Sequence, residues 1–434
     1  MALTSRIGIG LLGMGVVGSE VARNLIHHSD HIESQVGLPV ALDGIAVQSP
    51  TKPRDSSIPS NLITTDPVSL ITNPNISIIV ELIGGERPAV DLLRLALSRG
   101  KHVVTANKEV MATHGTELIQ LAEENDVNIL YEASVGAGIP IIGPLNKDFL
   151  ANDISSIYAI INGTTNYILT KMAQDGTDFK TALSLAQQLG YAEANPAHDI
   201  EGTDAAFKLA ILSSLAFHTQ VVSKEIYREG ISRLSEVDFQ YARELGFAIK
   251  LLAIASREAG SLSLRVHPAL LSKDHLLAKV DGVFNAIEIE GDLIGKVVLH
   301  GQGAGPKPTA SAVLGDILEV ARNLAWHDKP TKKIALNQNL SLSPIDELVT
   351  QYYVRVTVID QAGVLAQIAT LLGDLNISIA TAIQKAADSQ SQTAELVIMT
   401  HPAKESFVQQ AIRQMDQLNV VHEVSNVIRV ETGV

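Results

Sequence analysis

The feature that most constrains this chain is a glycine-rich turn near its start. The motif GMGVVG, residues 13–18, follows an apolar run at residues 6–12 and precedes helical periodicity at residues 19–28. In a strand–turn–helix unit the first glycine permits a tight turn, the second lets backbone approach a phosphate, and the third lets helix and strand pack closely. Free amide groups at the helix start can then bind a pyrophosphate. The predicted dinucleotide contacts are Gly13, Met14, Gly15, Val16 and Gly18.

A second stretch, GIGLLG at residues 8–13, has the same glycine spacing and overlaps the first motif. No strand can precede this second match and no helix follows it directly, so its context does not fit the binding mechanism. The register at residues 13–18 has a strand before it and a helix after it, and we therefore prefer it. The alternative for that register is a glycine-rich turn that binds no ligand.

The segment after the second predicted strand, residues 41–47, bears on the choice of cofactor. An acidic residue at the end of that strand would bind the ribose 2′-OH of NAD. The chain instead continues as QSPTKPR, residues 48–54. Lys52 and Arg54 could neutralise a 2′-phosphate, which favours NADP(H) over NAD(H). The alternative is that both cations are solvated loop residues.

The N-terminal third of the chain predicts an α/β fold. Residues 6–140 alternate short apolar runs with helical segments, which is typical of a parallel sheet covered on both faces. We therefore predict a Rossmann-type NAD(P)-binding domain at residues 1–140, completed by residues 305–327. Residues 141–304 contain two predicted β-hairpins, at 249–266 and 283–299, and indicate an α+β domain for substrate binding, catalysis and dimerisation.

The C-terminal part predicts a separate small domain. Residues 328–350 are polar and contain two prolines, and we interpret them as a linker. Residues 351–434 have the predicted element order β-α-β-β-α-β, which is that of the ferredoxin-like fold.

The composition excludes several classes of protein. The chain has no cysteine, which rules out disulfides, thiolate metal sites and a cysteine nucleophile. A formal net charge of −14 disfavours nucleic acid as a partner. No apolar run approaches the roughly 20 residues that a membrane-spanning helix needs, and the N-terminal segment does not resemble a secretion signal. We therefore predict a cytoplasmic protein that binds neither nucleic acid nor membrane.

Two segments at predicted strand ends carry groups that could bind ligands. Thr105 and Lys108 follow a buried strand at its carboxyl end, where open α/β sheets bind ligands. The alternative for Lys108 is an exposed lysine at a helix start. In EASVGAGIP, residues 132–140, a carboxylate and several carbonyls could hold a hard cation. The alternative for that segment is a plain crossover between domains.

The segment with most acid–base chemistry lies between residues 190 and 208. Glu193 and Asp199 precede Asp204 and Lys208, which are four positions apart on an otherwise apolar predicted helix and share one face. Burying such groups is costly unless they pair or act in catalysis. The functional interpretation is a proton-donating lysine beside carboxylates that bind a cationic substrate group. The alternative is a structural ion pair.

Seven motifs in the same order resemble homoserine dehydrogenase over nearly the whole chain. They are GMGVVG at 13–18, VELIGG at 80–85, VVTANK at 103–108, EASVGAGIP at 132–140, INGTTNYIL at 161–169, GYAEANP with DIEGTDAAFKLAIL between 190 and 212, and GQGAGPKPTASAV at 301–313. The resemblance implies reversible NAD(P)H-dependent reduction of L-aspartate 4-semialdehyde to L-homoserine.

The resemblance also implies roles for individual residues. Lys208 would be the acid–base lysine, with Lys108 as a second lysine in the site. Glu193, Asp204 and Lys108 would bind substrate, supported by Asp199. Gly190 and Gly305 would contact the cofactor. A sodium ion would be held by Glu132 and by the carbonyls of Val135, Ala137 and Ile139.

The tail, at residues 354–365 and 375–379, resembles an ACT domain. Such domains usually pair and bind amino acids at their interface, and the resemblance implies threonine feedback, with Asn376 as a candidate contact. The sequence has Ala362 where a proline often precedes the glycine. The alternative is an ACT domain used only for contacts between subunits. We expect a homodimer or homotetramer.

Two other functions remain open at this point. The chain could be another NAD(P)-dependent dehydrogenase of an amino-acid-like substrate, or a non-catalytic amino-acid sensor that keeps NAD(P) as a ligand. Retention of Glu193, Asp204 and Lys208 argues against the sensor.

Overall fold

The computed structural model describes residues 6–52, 54–258, 260–328, 336, 340–385 and 392–431. These residues belong to two compact units. The first unit takes its residues from Met1–Ile154, Phe207–Lys224 and Glu290–Asn339, and the second from Ser155–Ala206, Glu225–Ile289 and Leu340–Val434. Within the described ranges, no helix is both long and apolar enough to cross a membrane.

The bounds of the elements are as follows. The strands are β1 (Ile7–Leu12), β2 (Val40–Ala46), β3 (Ile63–Thr64), β4 (Ile76–Glu81), β5 (His102–Thr105), β6 (Ile129–Leu130), β7 (Ile154–Ile160), β8 (Tyr227–Arg228), β9 (Phe247–Glu258), β10 (Ser261–Ser272), β11 (Phe284–Gly291), β12 (Gly295–Gln302), β13 (Ser341–Leu342), β14 (Val349–Ile359), β15 (Ile379–Gln384), β16 (Thr393–Thr400), β17 (Ala403–Lys404) and β18 (Val421–Glu431). The helices are α1 (Val16–His27), α2 (Ser29–Val36), α3 (Pro67–Thr72), α4 (Ala89–Ser98), α5 (Lys108–Glu124), α6 (Ile142–Asn146), α7 (Gly163–Asp175), α8 (Phe179–Gln188), α9 (Ala197–Ile200), α10 (Thr203–Ala216), α11 (Glu236–Glu244), α12 (Pro306–Ala325), α13 (Val364–Asp374) and α14 (Glu405–Met415).

The first unit contains a six-stranded sheet in the order β3-β2-β1-β4-β5-β6, and all neighbouring strands are parallel. The predicted Rossmann-type sheet is therefore confirmed. Its central strands are buried because helices cover both faces, and side chains of α1 and α12 share one apolar core with β1. The strand order reverses between β1 and β4, and open α/β sheets bind ligands at the carboxyl ends of the strands at such a point.

The second unit is built on a mixed sheet whose path is β11-β7-β9-β10-β18-β14-β16-β15. The predicted hairpin at residues 249–266 is present, since β9 and β10 pair antiparallel from Phe247↔Ser272 to Glu258↔Ser261. The C-terminal residues form β14-α13-β15-β16-α14-β18 with the spatial order β18-β14-β16-β15. This arrangement confirms the predicted ferredoxin-like fold.

The C-terminal domain extends the sheet of the rest of its unit. Strand β18 pairs in parallel with β10, with Ala269 opposite Arg429 and Leu271 opposite Glu431. The predicted linker at 328–350 lies partly outside the described residues, and in its described part β13 also pairs with β10.

Buried ion pairs join the C-terminal domain to the elements before it. Asp238 of α11 is 0% exposed and accepts hydrogen bonds from Arg355 Nε at 2.7 Å, from the Tyr353 hydroxyl at 3.1 Å and from Asn426 Nδ2 at 2.9 Å. Burial acts to lower the pKa of Arg355, but the hydrogen bond and charge of Asp238 outweigh it, so the pKa is raised. The guanidinium therefore stays charged, and its carboxylate partner must remain in place.

Replacing Asp238 by alanine would leave a buried guanidinium without its fully buried partner. We expect Asp238→Ala to lower the free energy of unfolding by about 3–5 kcal/mol in urea denaturation. Glu244→Ala is the matched control, because Glu244 also lies on α11 and pairs with Lys385, but these side chains are 49% and 47% exposed. That change should cost less than about 1 kcal/mol. Equal losses of unfolding free energy in the two variants would contradict a stabilising role for the buried Asp238–Arg355 pair.

His102 makes the stability of the first unit depend on pH. Its Nδ1 accepts the Asn128 amide at 3.0 Å, and burial lowers its pKa from 6.5 to about 4. Because the pKa of His102 is lower in the folded state than in the unfolded state, the neutral imidazole favours folding. Its contribution to the free energy of unfolding is complete above pH 6.5 and is lost as pH falls towards 4. Between pH 6.5 and pH 4, we expect the free energy of unfolding to fall by on the order of 3 kcal/mol more in the parent protein than in His102→Gln. Urea denaturation at both pH values measures it, with exposed His31→Gln as control, and parallel losses in parent and His102→Gln would refute it.

Candidate active site

The glycine turn packs against the neighbouring strand end with no room for a side chain at its first and third glycines. Gly13 has φ +100°, and a Cβ at this position would lie 2.6 Å from the carbonyl oxygen of Leu82. A Cβ on Gly18 would lie 2.3 Å from the Gly13 carbonyl oxygen, whereas a Cβ on Gly15 would meet nothing within 4 Å. The first and third glycines are thus required by packing, and the second faces open space.

A cavity of about 550 Å³ lies beside this turn. Helix α1 begins at Val16 and α12 begins at Pro306, and both residues line the cavity. Its other walls come from the first two turns of α1, the first turn of α12 and the residues before α12, namely Ser19, Glu20, Arg23, Gln302, Gly305, Lys307 and Pro308. The positive ends of two helix dipoles and the Lys307 ammonium suit an anionic ligand in this space, whereas Arg23 is already paired with Glu20 and Asp55.

The loop after β2 carries the two cations considered for a 2′-phosphate. Lys52 is exposed, and Arg54 is half-buried. The Arg54 guanidinium donates to the carbonyls of Pro50 at 3.1 Å and Lys52 at 2.9 Å, and also to that of Ser49. Arg54 therefore shapes this loop. Its neighbour Asp55 pairs with Arg23 of α1, and the pKa of the Asp55 carboxyl falls to about 2, chiefly through the Ser57 amide and then through Arg23.

Lys108 is held at the carboxyl edge of the parallel sheet by the end of β5. Thr105 is the last residue of β5 and is 0% exposed. Asn107 caps α5 by accepting the Val110 amide at 3.2 Å through Oδ1. Lys108 is then the first residue of α5 and is half-buried, so its position follows from the cap.

The structure brings two of the predicted carboxylates together in the second unit. A single amide group, Asn162 Nδ2, donates to Asp199 Oδ1 at 2.7 Å and to Asp204 Oδ2 at 2.9 Å. Asn162 is also the N-cap of α7, since its Oδ1 accepts the Thr165 amide at 2.8 Å. Asn162 received no role from the sequence, although its place before a helix in the INGTTN motif is a recognisable capping signal.

Asp204 and Lys208 lie four positions apart on α10 and are 3% and 8% exposed. Both charged side chains are thus buried on the same side of one helix, as the sequence pattern predicts. Helix α10 also runs beside α5: a cavity of about 450 Å³ in the first unit is lined by both, including Met111, Gly115 and Ala210. The helices that carry Lys108 and Lys208 are therefore neighbours.

The loop with Gly190 and Glu193 is fastened to the start of α7. The Thr164 hydroxyl donates to the Tyr191 carbonyl at 2.6 Å, and the rings of Tyr167 and Tyr191 lie 5.0 Å apart. Gly190 has φ +76°, which favours glycine at this turn after α8. The side chain of Glu193 is exposed, so it is available to a ligand.

Glu132 begins the segment considered for a cation. Its Oε1 accepts the amides of Ile141 at 2.6 Å and Ile142 at 2.9 Å, and its Oε2 accepts that of Gly143 at 2.6 Å. A carboxylate oxygen has two lone pairs, so one position on Oε2 is left over by these bonds. The intervening turn is tight, with φ +71° at Gly136 and +43° at Ala137.

Comparison with known proteins identifies the parts of the chain. A model described as homoserine dehydrogenase, NAD binding domain, matches residues 13–132. One described as homoserine dehydrogenase matches residues 140–318, and an ACT domain model matches residues 352–419. The parallel sheet, its glycine turn and the NAD-binding match define the class of protein: an NAD(P)-dependent oxidoreductase.

The relatives agree over nearly the full length. The chain is 42% identical to a homoserine dehydrogenase of Synechocystis sp., covering 98% of this chain and 99% of that protein. The crystal structure of a homoserine dehydrogenase from Thiobacillus denitrificans superposes with a TM-score of 0.92 at 40% identity and 98% coverage of both chains. A hyperthermophilic archaeal homoserine dehydrogenase in complex with NADPH matches 73% of this chain and 97% of its own, with 30% identity and a TM-score of 0.62. The chain therefore belongs to the homoserine dehydrogenase family, with a C-terminal ACT domain.

The three glycines of the turn should respond differently to alanine. We expect Gly18→Ala to lower the melting temperature by several degrees, because its methyl would collide with backbone rather than with a movable side chain. Gly13→Ala should do the same, since it adds strain at positive φ. Gly15→Ala has open space and should melt within about 1 °C of the parent, because loss of a few tenths of a kcal/mol shifts Tm only slightly. Differential scanning calorimetry without cofactor would reveal the order, and equal losses at all three positions would count against it.

Proposed function

We propose that this protein catalyses the reversible NAD(P)H-dependent reduction of L-aspartate 4-semialdehyde to L-homoserine. The observation that carries the proposal is the Asn162 amide that bonds Asp199 and Asp204, with Lys208 buried four positions along the helix from Asp204. This arrangement offers carboxylates for a substrate ammonium and a lysine for proton transfer. Full-length similarity to homoserine dehydrogenases supports the same reaction.

The glycine turn is the proposed site of the cofactor pyrophosphate. Gly15 gives backbone access, and the first turn of α1 supplies amide N–H groups at the cavity. The proposed contacts beyond Gly13–Gly18 are Thr105, Lys108, Gly190 and Gly305. NADP(H) is the preferred cofactor in this proposal, because no acidic residue stands at the end of β2, whereas Lys52 and Arg54 follow in the next loop. The hydrogen bonds of Arg54 to its own loop leave Lys52 as the more accessible cation.

Lys208 is the proposed acid–base residue. The bound nicotinamide supplies or accepts the hydride. During reduction, negative charge develops on the carbonyl oxygen, and the Lys208 ammonium stabilises it and gives it a proton. In the reverse direction the neutral amine takes the proton from the hydroxyl. Lys108 provides a second positive charge in the site.

The carboxylates have a different task in this proposal. Glu193, Asp199 and Asp204 bind and orient the substrate ammonium, which fixes the aldehyde relative to the lysine. Asn162 fixes Asp199 and Asp204 in turn, and a buried charge held in this way costs no reorganisation when the substrate arrives.

A sodium ion at the Glu132 turn is part of the proposal. The remaining lone-pair position on Glu132 Oε2, with carbonyls of Val135, Ala137 and Ile139, fits a monovalent cation better than a divalent one, since only one carboxylate charge is present. Its role would be to hold the turn rather than to take part in the reaction.

The ACT domain is the proposed site of feedback by threonine. Gly363 has φ +92° at the start of α13, so glycine is needed there even without the preceding proline. Asn376 is exposed with φ +56° just after α13, a place that also has a purely structural explanation, because asparagine tolerates this conformation.

We further propose a cytoplasmic homodimer or homotetramer. Strand β15 is the last strand of its sheet path and offers an edge for such pairing.

Turnover of aspartate semialdehyde with NADPH should depend on Lys208. We expect Lys208→Ala to lower kcat by about 10²–10⁴, the usual contribution of a positioned acid or base, while the Kd for NADPH changes little. Absorbance of NADPH measures turnover, and its fluorescence on binding measures Kd. Near-normal kcat in this variant would remove Lys208 from its role.

The parent protein in the same assay tests the overall function. We expect oxidation of NADPH faster than of NADH, and a lower rate with threonine. An inactive parent that still binds NADPH and an amino acid would instead favour a sensor.

A further inference from the structure

Glu81 is a buried carboxylate that the proposed mechanism does not use. It is the last residue of β4 and is 0% exposed. Its Oε1 accepts the backbone amides of Ile83 at 2.7 Å and Gly84 at 3.2 Å, and its Oε2 accepts the Thr105 hydroxyl at 2.6 Å. Burial of a carboxylate is costly, so three donors aimed at one side chain point to a function that a neutral residue would not serve.

The two oxygens of Glu81 serve two different loops. Oε1 holds the turn after β4, where Gly84 and Gly85 have φ +79° and +71°. Oε2 holds the end of β5 through Thr105, which is directly opposite Glu81 in the parallel pairing. Because both oxygens accept, a neutral amide of the same shape could reach Thr105 only by donating to its hydroxyl, and it would lose the charge-assisted bonds to both loops.

The hydrogen bonds continue from Thr105 to the start of α5. Thr105 Oγ1 accepts the Asn107 amide at 3.0 Å, and Asn107 Nδ2 donates to the Gly85 carbonyl at 2.7 Å. The chain of bonds therefore returns to the turn at which it began. Since Asn107 caps α5, this closed network fixes the position at which Lys108 leaves the sheet edge.

The same turn forms the wall against which the glycine motif packs. The Leu82 amide donates to the Leu12 carbonyl at 2.7 Å. The Leu82 carbonyl and the Ile83 nitrogen are the atoms that a Cβ on Gly13 would meet, at 2.6 and 2.9 Å. A shift of the residues after Glu81 would therefore move the wall of the cofactor turn as well as the start of α5.

We propose that Glu81 is a positioning residue, whose carboxylate sets the relative place of the glycine turn and Lys108 at the carboxyl edge of the sheet. The inference rests on the proposed function, in which the cofactor binds at that turn and Lys108 faces the site. Glu81 itself touches neither cofactor nor substrate in this proposal. It acts through Ile83, Gly84 and Thr105.

Glu81→Gln tests the inference with little change of shape. The amide replaces one acceptor by a donor and removes the charge, so the Thr105 hydroxyl would have to turn and accept, and the bonds to both loops become neutral and weaker. We expect NADPH to bind about tenfold more weakly, a change of about 1.4 kcal/mol, measured by its fluorescence. In the cofactor-free protein, amide hydrogen exchange should be faster at residues 83–85 and 107–110. kcat should also fall, because Lys108 is displaced, whereas an effect on stability alone would leave both kcat and NADPH affinity unchanged.

Two further variants distinguish positioning from general stability. Thr105→Val removes the hydroxyl alone and should reproduce these effects, and the double variant should be no worse than Glu81→Gln, since both break one network. Glu124→Gln is the matched control: this glutamate is exposed at the end of α5 and should leave NADPH affinity, exchange and kcat unchanged.

The outcomes separate this inference from the proposed function. A Glu81→Gln protein that melts earlier but keeps the parent's NADPH affinity and kcat would refute positioning, as would fully additive effects of the two changes. Failure of the parent itself to bind NADPH or turn over aspartate semialdehyde would instead overturn the proposed function. Weak NADPH binding with faster exchange at both loops, in Glu81→Gln and Thr105→Val alike, supports the inference.

Discussion

The carboxyl ends of β1 and β4 come so close together that backbone packs directly on backbone. A methyl group on Gly13 would overlap the Leu82 carbonyl, and one on Gly18 would overlap Gly13 itself. Helix α1 can begin where it does only because of this contact, and the start of α1 forms one wall of the cavity that α12 completes. The place of the proposed cofactor site thus follows from steric exclusion at two positions, and only Gly15 is free to serve the ligand.

In the first unit, packing fixes the position of the glycine turn. In the second unit, buried ion pairs fix the position of the C-terminal domain. Asp238, Glu405 and Glu431 are buried acids, each paired with an arginine of the C-terminal domain or of β10. Burial acts to raise the pKa of Glu405, but the hydrogen bond from Arg429 outweighs it and the pKa is lowered. Such pairs add little net stability compared with apolar packing, yet a misplaced domain would leave several charges unpaired. The ion pairs therefore favour one position of the ACT domain on the rest of its unit.

The features that depend on local order could be predicted from the sequence. The glycine register, the parallel sheet, the hairpin of β9 and β10 and the ferredoxin-like order all follow from periodicity and turn residues. The pairing of β10 with β18 was not foreseen, because an alternating pattern shows that a strand has a partner and not which one. Asn162 was missed for a similar reason: it meets carboxylates 37 and 42 positions away. The roles of the site residues, the sodium ion, threonine and the domain limits stay predictions.

The position of β18 determines how late in synthesis its sheet can be completed. Among the described strands it is synthesised last, yet it lies inside its sheet, between β10 and β14. About 150 residues separate the end of β10 from the start of β18, so at 5–20 residues per second the edge of β10 waits roughly 7 to 30 seconds on the ribosome. During that time residues 269–271 of β10 lack the strand that will pair with them, and Arg265 lacks Glu431, although β8 already lies opposite Arg265. Until β18 is added, this short stretch of edge is open to pairing with another chain.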